Sequence, residues 1–296
     1  MMKIAILTQP LGHNYGGLLQ AYALQTMLKR LGHDPLVLDR KHSQPSCLRK
    51  YLSPVKSCAL KYAMGKKDIE VLPFRPSTEQ MDAISKETSK FVRQHIKKTA
   101  KIYSTSELKR EAIKQNFDAY IVGSDQVWRQ EYSPCITNYF LDFIDGVPAT
   151  KRIAYAASFG VDFWHFKPQT MRECKRLAQQ FNAISVREDS GVDLCRQHLG
   201  VQAVHVLDPT LLLDPDDYRA LVLENNEPES AGDLMTYILD PCSEKTALIQ
   251  QISSALGLRP FSVMPDIKLT RDTQNRIEQC VFPPVTQWLR GHMDAR

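Results

Sequence analysis

The stretch that decides the fold is "KIAILTQPLGHNYGGLLQAYALQTMLKRLGHDPLVLD", Lys3–Asp39. Its first seven residues, "KIAILTQ", are a short apolar run of the kind that forms a buried strand. A glycine-containing turn follows. Beyond it Leu24, Met27, Leu28 and Leu31 recur at helical spacing, and Gly32 stands where a helix ends. "PLVLD", Pro35–Asp39, is strand-like again. The stretch therefore reads β-α-β. Its glycines, however, fall neither as GxGxxG nor as a phosphate loop, so Asn14-Tyr15-Gly16-Gly17 needs its own account.

The same alternation returns farther along. A strand is expected at Ala119–Val122 inside "FDAYIVGSDQVW", and others in "KRIAYAASFG", "AISVRE" and "AVHVLDP". The helices "QTMRECKRLAQQF" and "SGVDLCRQHLG" lie between them. Strands alternating with helices at this spacing make an α/β protein with a mainly parallel sheet and right-handed crossovers. From Arg40 to about Arg75, Pro45, Pro54 and Pro73 break the pattern and basic residues crowd in, which reads as an insert ahead of helices at Thr78–His95 and Ser106–Gln115. After Val206, the polar "LENNEPESAGD" reads as a linker. A second alternation follows: "LMTYILD", "SEKTALIQQISSALG", "RPFSVM" and a helix in "PPVTQWLRGHM" with proline in its first turn. The expected organisation is an N-terminal Rossmann-like domain over 1–205, with a variable basic insert at about 40–78, and a partial Rossmann-like domain over 206–296. So few strands cannot cover both faces of a parallel sheet, so the second domain reads as incomplete.

Composition narrows the class. Among 296 residues, 43% are apolar and 24% charged, ordinary for a globular protein. No run approaches the roughly 18 uncharged apolar residues of a membrane span. "MMKIAIL" enters a strand pattern without a signal-like h-region, so the expected compartment is the cytoplasm. Seven scattered cysteines without CxxC read as reduced thiols. The net charge of +5 is uneven: Lys41 to Gln115 holds 17 Lys/Arg against 7 Asp/Glu. Such a segment is either a solvated helical face or a surface for anionic lipid or glycan at the inner face of a membrane. No nucleic-acid module is recognisable, so no nucleic-acid partner is expected.

Ligands of open α/β sheets bind outside the carboxyl ends of the strands. Five strand ends carry small, polar or charged residues: Gln9 through Gly17; Gly123, Ser124, Asp125, Gln126 and Trp128; Ser158, Phe159 and Gly160; Arg187, Glu188 and Ser190; Asp208, Pro209 and Thr210. Each has two readings. Gly16-Gly17 either lets a helix pack closely on the sheet or turns backbone amides toward an anion. Asn14 is an N-cap or a ligand contact. Asp125 caps a turn or faces the crevice, and Trp128 is core or binding surface. Arg187 pairs with Glu188 or Asp125, or clamps a carboxylate or phosphate. His13 is weak evidence alone, and His205 reads as structural. No nucleophile elbow, metalloprotease, kinase or Walker pattern is present, and no metal-ligand constellation either.

Taken in order, "NYGGLLQAYALQ" (Asn14–Gln25), "VGSDQVW" (Val122–Trp128), "YAASFG" (Tyr155–Gly160), "SVREDSG" (Ser185–Gly191), "VLDPTLLL" (Val206–Leu213) and "FPPVTQWLR" (Phe282–Arg290) resemble the polysaccharide pyruvyl transferase family. The resemblance implies a GT-B-like arrangement of two Rossmann-like domains facing a cleft. It implies transfer of the pyruvyl skeleton of phosphoenolpyruvate to a sugar of a capsular, exopolysaccharide or cell-wall glycan, often a lipid-linked precursor, forming a ketal and releasing phosphate. No cofactor is implied beyond that donor substrate. Arg187 is the expected catalytic anion clamp. Asn14, Tyr15, Gly16, Gly17, Gln20, Ser124, Asp125, Gln126, Trp128, Ser158, Phe159, Gly160 and Glu188 are expected to bind substrate. The family pattern continues to a segment resembling S-F-H-G, whose histidine serves the donor. His292 precedes that position, so a truncated or inactive version is expected. The competing readings are a GT-B glycosyltransferase using a nucleotide-sugar and a non-catalytic subunit binding a glycan or anion.

Overall fold

The computed structural model describes residues 1–43, 74, 76–147 and 150–296. Most of the basic insert expected at 40–78 therefore lies outside the described residues. The opening stretch folds as read: β1 (Lys3–Leu7), α1 (Tyr15–Arg30) and β2 (Asp34–Val37). Leu31 closes α1, and Gly32 follows it at φ 79°, a left-handed conformation that glycine adopts without strain.

Two helices, α2 (Thr78–Ile84) and α3 (Lys86–His95), replace the single one expected over Thr78–His95. Ser85, at φ −97° and ψ 10°, ends one and begins the other. Then come α4 (Thr105–Gln115), β3 (Ala119–Val122), β4 (Lys151–Ala157), α5 (Pro168–Ala178), β5 (Ala183–Val186), α6 (Asp189–Leu194) and β6 (Val204–His205). The six strands form one sheet in the order β2-β1-β3-β4-β5-β6, and every pairing is parallel. The chain reverses its direction of travel across the sheet between β1 and β3. In an open parallel sheet the crevice beyond the strand ends opens at that point.

Alternation along the strands divides the core in two. Ile4, Ile6, Ala119 and Ile121 face the layer that holds Leu18, Leu24 and Leu28 of α1. Ala5, Leu7, Tyr120 and Val122 face the other, with Leu108, Phe140, Leu177 and Trp128. Residues 98 and 102 add isolated parallel bridges beside β2, covering that edge.

The rest of the chain gives α7 (Pro215–Glu224), β7 (Leu234–Thr236), α8 (Ser243–Leu256), β8 (Pro260–Ser262) and α9 (Val285–Asp294). β7 and β8 form a second, two-stranded parallel sheet. The prolines before α9 sit outside its first turn, with Pro284 as the N-cap, because the helix begins one residue later than read. Val285 and Leu289 of α9 share the core layer of α1. Trp288 stacks on Tyr15 with ring centres 5.7 Å apart. The Tyr15 hydroxyl donates to the Val263 and Pro283 carbonyls at 3.3 and 3.0 Å, joining the two sheet units. No helix among the described residues is long and apolar enough to cross a membrane.

Candidate functional site

The crevice beyond β1 and β3 holds a cavity of about 810 Å³. One end is polar, with Gly16, Gly17, Asp125, Arg187 and Asp208. The other is largely apolar, with Leu19, Leu213, Trp288 and Leu289. A second cavity of about 440 Å³ shares Asn14 and Asp125 with it.

The glycine pair forms the second and third residues of α1. A methyl group on Gly16 would meet only the Asn14 side chain, at 3.6 Å. On Gly17 its nearest neighbours would be the Asp125 and Asn14 side chains, at 3.4 Å or more. Close packing of helix on sheet therefore does not require these glycines; what they leave open is cavity wall. Asn14 is the N-cap, its Oδ1 accepting from the Gly17 amide at 3.2 Å. Leu18 donates to the Asn14 carbonyl. The Gly16 amide has no such cap bond, so of the pair it is the one disposed toward an anion.

Arg187 is already partly engaged by carboxylates. Its Nη1 donates to Asp208 at 3.0 Å and its Nε to Glu188 at 3.2 Å, while Nη2 lies 3.9 Å from Asp125. Burial opposes its charge, but these carboxylates outweigh burial and raise its pKa. The His205 ring nitrogen sits 2.9 Å from the Arg187 carbonyl, in the structural role expected of it. Asp208, named among the strand-end residues but not among the expected catalytic and binding residues, joins the site. It binds Arg187, caps the turn at Thr210 and accepts from Ser124 Oγ at 3.1 Å. Its sequence signals were its place after the last strand of the sheet and its position in the stretch Val206–Leu213 that resembles the family.

Asp125 follows β3 at φ 70°, the left-handed region that Asp and Asn tolerate better than most residues. Its Oδ1 accepts from the Gln126 amide at 2.9 Å. Burial raises its pKa above the usual carboxylate value; the Gln126 amide and Arg187 offset this in part, and Asp208 and Glu188 reinforce it.

The other expected binding residues separate into supports and core. Gln20 is buried, its Nε2 donating to Thr8 Oγ1 and the Gly17 carbonyl while its Oε1 accepts from the Ser124 amide. Ser124 is fully buried and donates to the Ala156 carbonyl. Ser158, also buried, donates to Glu188 and accepts from the Gly160 amide. These three fix the strand ends and line neither cavity. Trp128 belongs to the core: it stacks on Phe140 at 5.0 Å and its indole N–H donates to the Tyr139 carbonyl. Phe159 packs beside it, and Tyr15 is occupied at the joint between the sheets. These aromatic rings carry more apolar surface than a polar crevice can wet, so they are drawn inward. Gly160, at φ 68°, lies against Gln126, whose Oε1 accepts from Arg129.

The family model described as polysaccharide pyruvyl transferase matches residues 14–255 of the 296. The chain belongs to this family. The match begins at the N-cap of α1 and runs through every strand end that contributes to the cavity. No curated protein sequence matches the chain. Solved structures similar to it include an alpha-glucosyltransferase in complex with UDP and a mismatch-containing DNA 13-mer, at 10% identity and TM-score 0.46, covering 96% of this chain and 60% of that one. A glycosyltransferase from Rickettsia africae is 13% identical at TM-score 0.41, over 100% of this chain and 67% of that one. Arabidopsis thaliana UGT89C1, complexed with UDP-L-rhamnose, is 10% identical at TM-score 0.43, covering 90% and 66%. The chain thus spans 60% of the length of the first of these.

Proposed function

We propose that the polar end of the cavity takes phosphoenolpyruvate, and that its pyruvyl group passes to two hydroxyls of a surface-glycan sugar as a ketal. The observation that carries this reading is the convergence of the family-matched strand ends on one cavity, with Gly16, Asp125 and Arg187 at its polar end.

The charge balance makes the reading specific. At the polar end the Arg187 guanidinium faces Asp125, Asp208 and Glu188, so this cluster is net negative when all three are ionised. An anionic donor is accommodated best when one carboxyl is protonated. Asp125 is that group, because burial already holds its proton more tightly than usual. The same proton serves the chemistry. Asp125 delivers it to the terminal carbon of the enol, converting CH2 to CH3, and positive charge develops at the central carbon. The first sugar hydroxyl adds there and returns its proton to Asp125. The second hydroxyl displaces phosphate, and its proton leaves with the phosphate. A single carboxyl acting as acid and then as base is ordinary general catalysis. Arg187, preset by Asp208 and Glu188, offers its remaining N–H groups to the donor carboxylate.

Calorimetry of phosphoenolpyruvate binding in buffers of different ionisation enthalpy tests this. Net proton uptake is expected for the native chain and none for Asp125→Asn. Mass spectrometry of a glycan acceptor incubated with the donor reads the transfer itself. Donor binding with no proton uptake would remove Asp125 from the acid role.

A further inference from the structure

The end of β4 carries one residue more than the strand beside it. Ile153 and Ala154 pair with Ala183 and Ile184, and pairing resumes at Ala157 with Val186. Tyr155 and Ala156 therefore stand opposite Ser185 alone, which is a β-bulge. The extra residue reverses the alternation of faces, so that Ala154 and Ala157, three positions apart, lie in the same core layer. Ala156 takes the strain, at φ 48° in the left-handed region that disfavours a residue with a Cβ. Glycine would hold this angle freely, but the sequence places none there.

A bulge leaves groups of the backbone ladder unpaired. Here one side chain meets them. Ser185 Oγ accepts from the Ala156 amide at 3.0 Å and donates to the Ala154 carbonyl at 3.1 Å. Ser185 is buried, so losing the hydroxyl would leave both groups without a ready substitute.

The consequence of the bulge lies one residue on. Ala157 pairs with Val186 on one side and bridges to Asp125 on the other. The Ser158 amide donates to the Asp125 carbonyl, and the Arg187 amide donates to the Ala157 carbonyl, both at 3.1 Å. The Ala156 carbonyl accepts from Ser124 Oγ at 2.9 Å, the hydroxyl that also reaches Asp208. The residues past the bulge are thus strung between the turn that carries Asp125 and the strand end that carries Arg187. In straight register Ala157 would stand opposite Arg187, and β4 would reach Asp125 with its other face presented.

We propose that Ser185 is a positioning residue: its hydroxyl holds the bulge of β4, and the bulge sets the Asp125 carboxyl against the Arg187 guanidinium. Ser185 lines neither cavity and acts through the backbone. Its consequence for the reaction rests on the pyruvyl-transfer reading, in which Asp125 moves the proton; its effect on the geometry does not.

The test is an NMR titration of the full chain carrying carboxyl-labelled aspartate, in which the Asp125 signal is the one missing from Asp125→Asn. The native group is held above 3.8 by burial. Ser185→Ala should move its midpoint down toward 3.8, because a loosened turn admits water. Ser185→Thr, which keeps the hydroxyl, should titrate as native. The donor response, read by thermal shift with phosphoenolpyruvate, should need about fivefold more ligand in Ser185→Ala. A folded Ser185→Ala chain with a native Asp125 midpoint would make Ser185 a prop of the sheet alone and overturn the proposal. Should that variant not fold, Ser185→Cys decides: its weaker thiol donor is expected to shift the midpoint in the same direction, and a native midpoint overturns the proposal. A shifted midpoint in a chain whose native form ignores phosphoenolpyruvate would keep the positioning role and overturn the donor reading instead.

Discussion

At the scale of single residues, Asp125 makes the sharpest prediction. Its native pKa lies above the 3.8 of an ordinary aspartate. Between those two values the folded chain binds more protons than the unfolded one, so this group makes stability fall as pH rises through that window. Above it the deficit is constant, and below 3.8 it is absent. Asp125→Asn removes the deficit and keeps the Oδ1 that accepts from Gln126. The variant should melt higher than native at pH 7, show no such advantage in acid, and lose transfer activity. Scanning calorimetry of both chains across pH checks this, and an Asp125→Asn advantage over native no larger at pH 7 than in acid would contradict it. The glycine pair gives a second prediction. A methyl group on Gly17 comes no closer than 3.4 Å to its neighbours, and alanine favours a helix over glycine by up to about 1 kcal/mol. Gly17→Ala should therefore fold as stably as native in urea denaturation, yet lose much of its thermal response to phosphoenolpyruvate because the methyl intrudes on the cavity wall. Stability lost with binding retained would reverse the argument.

Among elements, the strand ends do most of the positioning. Gly123 closes β3 at φ 120°, and a Cβ there would overlap the Tyr155 carbonyl oxygen of β4. The colliding atom is backbone and cannot turn aside. Gly123→Ala should cost about 3 kcal/mol or more, read as a lower urea midpoint. A loss below about 1 kcal/mol would show that β3 and β4 separate more easily than their register implies. How much of this was legible varies with the element. The strands β1, β3, β4 and β5 were plain because apolar runs bounded by turns leave few alternatives. The break at Ser85 was not, since apolar periodicity continues through a bend that two abutting helix ends make. Arg187 next to Glu188 was visible in the sequence. Its bond to Asp208 depends on β5 and β6 lying side by side, which no local pattern encodes. Trp128 had two readings of equal chemistry, and only its contacts with Phe140 and Tyr139 decide for the core.

For the whole molecule, strand order is what turns scattered motifs into a site. The reversal between β1 and β3 sets Gly16 and Gly17 opposite Asp125, and the β5 and β6 ends add Arg187 and Asp208 to the same cavity. The far wall comes from α7 and α9: Trp288 and Leu289 lie in the stretch Phe282–Arg290 that resembles the family, whereas Tyr218 had no motif to announce a role. The central claim is that this cavity recognises a small phosphorylated carboxylate. Thermal-shift titration of the chain with phosphoenolpyruvate, alongside UDP-glucose, tests it most directly, because a ligand that binds only the folded state raises the melting temperature by mass action. The account predicts a saturable rise with phosphoenolpyruvate, reduced in Arg187→Lys, and none with UDP-glucose. A rise with UDP-glucose and no response to phosphoenolpyruvate would contradict it.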